Sequence, residues 1–365
     1  MKNDPFKEYL VESEPTKRER GYSWYTAIGL QKVDGLETSS YLNKVAVENI
    51  EGNISIEKAE ELIQTYYIEN KDHSAKTEEA DKVSVNIARI LSEKSFVFSP
   101  AQYIDIHKIL FDNVFEHAGK VRNYNISKKE WVLDGDTIIY GGASLLKETI
   151  EYDFNQEKSF DYKKLDKNEF IAHISRFIAN IWQIHLFSEG NTRTTAIFLI
   201  KYLRKFGFNV TNDVFAKNAW YFRNALVRAN YTNVEKSIYE TTEYLEMFLK
   251  NLIFNETNEL KNRHLHINWN KNIDIDDKNI DIQKNKLDIG TLKLTKPMKD
   301  KINKLYYKLS GEDYFGRSDI LNVVNLSPTG ASNLISRLLE LGIIIPVENH
   351  GKGKYCFNIE EINHE

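Results

Sequence analysis

His185-Leu186-Phe187-Ser188-Glu189-Gly190-Asn191-Thr192-Arg193-Thr194-Thr195 separates two segments whose apolar residues recur at helical spacing. Before it, Phe170, Ile174, Phe177, Ile178 and Ile181 share one face of a helix that starts near Asn168 and ends near Ile184-His185. After it, Ile197, Ile200 and Leu203 mark a second helix, from about Asn191 to a stop at Gly207. Gly190 and Asn191 at the start of that helix leave backbone N–H groups with no intrahelical acceptor, a cradle for phosphate. Arg193, on the first turn, adds a bidentate charged contact, and Glu189 offers a hard oxygen suited to Mg²⁺ already held by phosphate oxygens. His185, with an ordinary imidazole pKa of about 6.5, can take a hydroxyl proton near pH 7. Alone, a histidine at a helix end is most often a dipole cap and a Gly-Asn pair most often a turn, so the weight rests on the whole string. No second histidine stands at zinc-ligand spacing from His185.

Outward from the string the chain reads as helical. Val83, Ile87, Ile90 and Leu91 predict a helix over 81–93, and Ile104, His107, Ile109 and Leu110 another after Pro100. Helices over 39–49 and from Ser55 through Tyr67 are separated by Ile50-Glu51-Gly52-Asn53, and two more are expected over 216–230 and 235–252. Residues 1–40 show no clear period beyond a turn at Asp34-Gly35. Trp131-Val132-Leu133 and Thr137-Ile138-Ile139-Tyr140 flank Asp134-Gly135, which predicts one small β-hairpin. Residues 254–290, rich in Asn, Asp, Lys and Ile, read as a linker. From about 291 the order helix, helix, helix, β, turn, β is that of a winged helix-turn-helix, with 329–337 as the recognition helix. Its basic footprint is thin, since Arg317, Arg337, Lys352 and Lys354 face Asp319, Glu340 and Glu348.

The 365 residues carry a net charge of −4, so there is no global pull towards nucleic acid, and any DNA contact must be local. No run approaches the ~20 apolar residues of a spanning helix, and Met1-Lys2-Asn3-Asp4-Pro5 leads into charged sequence without an apolar core of a signal peptide. A cytoplasmic protein with no membrane partner is expected. The single cysteine, Cys356, excludes an internal disulfide and reads as a buried structural thiol between Tyr355 and Phe357.

The string resembles the motif of the Fic family, His-x-Phe-x-(Asp/Glu)-Gly-Asn-x-Arg-x-x-Arg: His185, Phe187, Glu189, Gly190, Asn191 and Arg193 all match. The resemblance implies a mainly α fold, a Fic-type helical bundle with a small β-hairpin flap, carrying here a C-terminal winged helix-turn-helix domain. It divides the chain into an N-terminal region (1–80), a catalytic core (81–253), the linker (254–290) and the winged helix (291–365). It implies transfer of AMP from ATP, with Mg²⁺, to a Ser, Thr or Tyr hydroxyl of a target protein, a second copy of the chain in a homodimer being one candidate. His185 would be the general base, with Asn191 and Arg193 completing the catalytic set. Gly190, Asn191, Thr192 and Arg193 would bind the nucleotide, Glu189 the metal. Phe187 would anchor the loop. Trp131, Val132, Leu133, Ile138, Ile139 and Tyr140 would form the flap that docks the target by adding a strand.

Two positions depart from the family pattern. Ala196 stands where the second Arg is expected, which keeps a phosphotransferase of the death-on-curing type, with inverted nucleotide, as the alternative. Val47 to Gly52 resembles the family's inhibitory helix, (Ser/Thr)-x-x-x-Glu-(Gly/Asn), with Glu51 and Gly52 matching and Val47 replacing the hydroxyl. Glu51 would then crowd a γ-phosphate. A third reading makes the chain a nucleotide-sensing regulator that contacts DNA through 291–365.

Overall fold

The computed structural model describes residues 15–70, 74–210, 213–269, 295–309, 315–324, 328–347 and 353–357. The chain divides into two units, Met1–Asp274 and Ile275–Glu365.

The first unit is built from α1 (Pro15–Leu30), α2 (Ser40–Glu51), α3 (Ile56–Glu69), α4 (Ala75–Ser92), α5 (Pro100–Leu110), α6 (Leu146–Ser159), α7 (Lys167–Ile184), α8 (Asn191–Lys205), α9 (Val214–Arg228), α10 (Glu243–Phe254) and the single turn α11 (Asn262–Leu265). At its centre lies α8, in which every residue from Asn191 to Leu203 is buried, so the start of this helix is enclosed by the rest of the unit. Helix α7 begins with a capping box, Asp166 accepting from the Glu169 amide while the Glu169 side chain accepts from the Asp166 amide. Ser99 caps α5, with Pro100 in the first turn where its missing N–H costs nothing. Aromatic rings of Phe98, Phe154, Phe177, Phe198 and Tyr202 interlock between α6, α7 and α8.

Helix α1 carries buried Trp24, Ala27 and Leu30 alongside buried Ser23 and Thr26, a mixture that leaves no apolar stripe in the sequence. It packs on α4, α9 and α2. Where it crosses α9, a Cβ on Gly29 would lie 2.3 Å from the Cα of Ala216, so only glycine permits the approach. Asp81 of α4 is fully buried and accepts from the Ser39 amide at 2.8 Å and from Tyr67 at 2.7 Å, which ties the start of α2 and the end of α3 to α4.

The hairpin expected at 131–140 is not formed. Asp134 and Gly135 do turn, both with positive φ, but Trp131–Leu133 is a turn of 3₁₀ helix and no strand pairs with 137–140. Trp131, Val132 and Leu133 are all buried, and an extended strand cannot bury three successive side chains on one face. Ile138 and Tyr140 are buried as well, leaving Ile139, 86% exposed, as the outward residue of the proposed flap. Part of the expected linker also belongs to this unit: the Ile267 amide donates to the Val132 carbonyl at 3.0 Å, and His266 packs edge-on against Trp131. Residues 270–290 lie outside the described residues.

The second unit contains α12 (Lys296–Leu309), α13 (Arg317–Val324), α14 (Pro328–Glu340) and strands β1 (Phe315–Gly316), β2 (Ile344–Pro346) and β3 (Lys354–Phe357). The sheet has the order β1-β3-β2, antiparallel throughout, with Phe315 opposite Tyr355 and Ile344 opposite Phe357. Ile302, Leu305, Ile320, Leu338, Ile343 and Phe357 form its core. Cys356 is half-buried rather than buried, because the pleat turns Phe357 inward and its neighbour aside. The turn between β2 and β3 lies outside the described residues. Among those described, no helix is long and apolar enough to cross a membrane.

Candidate active site

Helix α7 ends on His185, whose left-handed backbone (φ 50°, ψ 61°) turns the chain out of the helix. Such a conformation is costly for a non-glycine residue, and Arg122 holds it. The buried Arg122 guanidinium donates to the carbonyls of His185 (2.6 Å), Ile184 (3.2 Å), Gly141 (2.5 Å) and Tyr124 (2.5 Å). The imidazole is 4% exposed, against the ring of Tyr140 at 4.4 Å. Its Nδ1 lies 3.3 Å from the Trp182 carbonyl, a partner that can only accept, so the proton sits on Nδ1 and the lone pair on Nε2. Burial, reinforced by the cations Lys128, Arg223 and Arg122, holds the pKa of His185 well below the usual imidazole value. The ring is neutral and can accept a proton at Nε2.

The loop after it is locked by Asn191, whose side chain accepts from the Phe187 amide at 3.0 Å and donates to the Phe187 carbonyl at 2.7 Å. Thr192 Oγ accepts from Trp182 Nε1 at 3.0 Å. Gly190 has φ 75°, and a Cβ there would lie 2.2 Å from the Phe111 ring, so glycine is required twice over. The amides of Asn191, Thr192 and Arg193 open α8 without intrahelical acceptors.

His107, read from the sequence only as a helical position, clamps the loop from below. It accepts from the Gly119 amide at Nδ1 (2.8 Å), donates from Nε2 to the Glu189 carbonyl (3.1 Å), and stacks on Phe187 with ring centroids 3.7 Å apart. Burial pushes its pKa down to about 3, so it stays neutral. A polar residue sharing a face with Ile106 and Leu110 was the available signal.

Residues 97–203 match the sequence profile of the Fic/DOC family. Over 108 residues, 30% of this chain and 21% of the relative, the sequence is 30% identical to the protein adenylyltransferase VbhT of Bartonella schoenbuchensis. Residues 97–203 are a Fic/DOC domain. The chain spans about a fifth of the length of this curated relative.

Within the Fic/DOC domain, Arg193 is not open to solvent. Its guanidinium, 2% exposed, donates to Glu79 (2.7 Å) and Gln31 (3.0 Å) and lies over the Phe111 ring. Asp34 Oδ2 is 2.8 Å from Nε but off the N–H direction, a close charge contact rather than a hydrogen bond. Gln31, Asp34 and Glu79 all lie before residue 97 and were not singled out in the sequence, where Asp34-Gly35 reads only as a turn.

Glu189 is exposed, and its carboxylate stands 3.6 Å from Lys128 Nζ. Among the described residues no three His, Cys, Asp or Glu side chains converge as a metal site, so Glu189 is a single carboxylate, the kind of ligand Mg²⁺ takes when phosphate oxygens complete its shell. Opposite His185, the fully buried Glu130 accepts from Arg223 (2.6 and 3.1 Å) and Tyr140 (2.9 Å), anchoring residues 130–140 beside the imidazole. Tyr221 is buried in the core, while Trp220 packs on the Arg223 guanidinium. Ala196 is fully buried.

Glu51 and Gly52 are not brought to the motif. Glu51 ends α2 and pairs with Lys17 at 3.0 Å; Gly52 caps the helix with φ 85° and shares a cavity wall with Lys201 and Arg204. Those residues belong to the far end of α8, about 12 Å (Lys201) and about 16 Å (Arg204) from Arg193 at 1.5 Å per residue.

Proposed function

We propose that the Fic/DOC domain transfers AMP from Mg-ATP to a Ser, Thr or Tyr hydroxyl of a protein. The observation that carries this reading is the neutral His185, with its Nε2 lone pair free, at the mouth of a helix start with three uncommitted amides. The relative's printed activity, protein adenylyltransferase, supports it. The hydroxyl oxygen attacks the α-phosphorus, its proton passes to His185 Nε2, and pyrophosphate leaves. The amides of α8 and the Asn191-locked loop orient the phosphates. Glu189 would hold Mg²⁺, which when bound offsets phosphate charge. Ile139, exposed beside Gln183, whose side chain donates to its carbonyl at 2.9 Å, would meet the target.

ATP labelled at the α- or the γ-phosphate tests this, with auto-modification standing in for the target. Label from the α position is expected, falling 10²- to 10⁴-fold or more in His185→Ala. Label from the γ position alone would replace it with phosphotransfer, the reading that Ala196 favours. For the second unit we propose a winged helix, on the α13–α14 pair, with β1 before it and β2 and β3 after it joined in the β1-β3-β2 sheet. A retarded duplex in a gel, lost on substituting Arg337, tests DNA contact there.

A further inference from the structure

A cavity of about 950 Å³ opens at the end of α8 remote from the motif. Five cations line it: Arg20, Lys94, Lys201, Arg204 and Lys205. Lys201 is 4% exposed and Arg20 and Arg204 are half-buried, whereas Lys94 and Lys205 are exposed. The acidic residues of the wall, Glu19, Glu57 and Glu93, are all exposed. Negative charge thus sits at the rim and positive charge inside.

The three inner cations hydrogen-bond to carbonyls. Arg20 donates to Ile50 (3.0 and 2.7 Å), Lys201 to Ile90 and Glu93 (3.0 and 2.9 Å), and Arg204 to Leu91 (2.7 Å). These contacts cap the C-terminal ends of α2 and α4, each worth about half a negative charge. That offsets roughly one of the three positive charges. Carbonyls orient a cation without neutralising it, and no carboxylate forms an ion pair with any of the five among the described residues. The first turn of α3, from its cap Ser55, faces the same space and adds further positive character. Leu91, Phe96 and Phe208 supply an apolar wall.

We propose that this cavity binds a small phosphate-bearing anion, at a site separate from the motif. Its volume suits a ligand of metabolite size, with Lys94 and Lys205 closing over the anion at the mouth.

Isothermal titration of the full chain with inorganic pyrophosphate at low salt tests this, independently of any transfer activity. Saturable binding is expected, weakened a few-fold in Lys94→Gln/Lys205→Gln and at least tenfold in Lys94→Glu/Lys205→Glu. Both lysines are exposed, and unchanged melting temperatures without ligand will confirm that the variants fold. No saturable binding to the wild type, or equal binding to wild type and charge-reversed variant, would overturn the proposal and leave the cations as helix caps alone.

Discussion

The two ends of α8 solve one problem in opposite ways. At the start, the buried Arg193 is met by two carboxylates, Asp34 and Glu79. At the finish, the buried Lys201 and the half-buried Arg204 are met by carbonyls only. Arg193 Nε is held by charge contact without a hydrogen bond, whereas Lys201 and Arg204 are held by hydrogen bonds without an ion pair. The carboxylates that balance the first end come from α4 and the turn after α1, outside the segment that carries the family motif. The N-terminal helices therefore complete the charge environment of the site rather than forming a separate cap on it.

The largest expected effect breaks the balanced end. Asp34→Ala with Glu79→Ala leaves Arg193 buried without a counter-charge and is expected to cost about 3 kcal/mol, measured by urea unfolding. Either substitution alone should cost less than half of that, because the other carboxylate remains. A double variant as stable as the wild type would mean that the guanidinium simply turns out to solvent.

The next effect concerns the two histidines at the same end. His107 and His185 are both held neutral by burial, with pKa values below the free imidazole value of about 6.5. Above that pH neither state of the chain is protonated and they contribute no slope. As pH falls below it, the unfolded chain binds protons that the folded chain refuses, so stability declines by about 1.4 kcal/mol per pH unit for each histidine. For His107 the decline continues towards pH 3. His107→Gln should reduce the slope between pH 6.5 and 4.5 by about 1.4 kcal/mol per unit. An unchanged slope would show that His107 protonates in the folded state.

How much of this was legible in the sequence follows from what each residue advertises. The loop from His185 to Arg193 was readable because it joins two clean helical periods and every matched residue has a chemical reason to be there. The hairpin was misread because Asp134-Gly135 does turn, while the burial of Glu130 and its pairing with Arg223, 93 residues away, decide how the flanks fold. Helix α1 was not seen because its buried face mixes Ser23 and Thr26 with apolar residues. The partners of Arg193 were invisible for the same reason: Gln31 is 162 and Glu79 is 114 residues distant, and neither carries a local signature. Glu51-Gly52 matched a short pattern, yet the path of α2 takes it to the other end of α8.

The smallest effect sharpens the contrast at the far end. Lys201→Met removes a charge that burial disfavours and Arg204 repels, and that the exposed Glu93 carboxylate offsets only at a distance, so the pKa of Lys201 is lowered on balance. It also strips the Ile90 and Glu93 carbonyls of their donor, but Glu93 and Lys201 line a cavity from which water can replace it. The two terms oppose, so the net cost by urea unfolding should be about 1 kcal/mol or less, well short of that for the carboxylates around Arg193. If the ammonium were instead a required cap, the cost would reach about 3 kcal/mol, the two ends would be energetically alike, and charge would not be what distinguishes them.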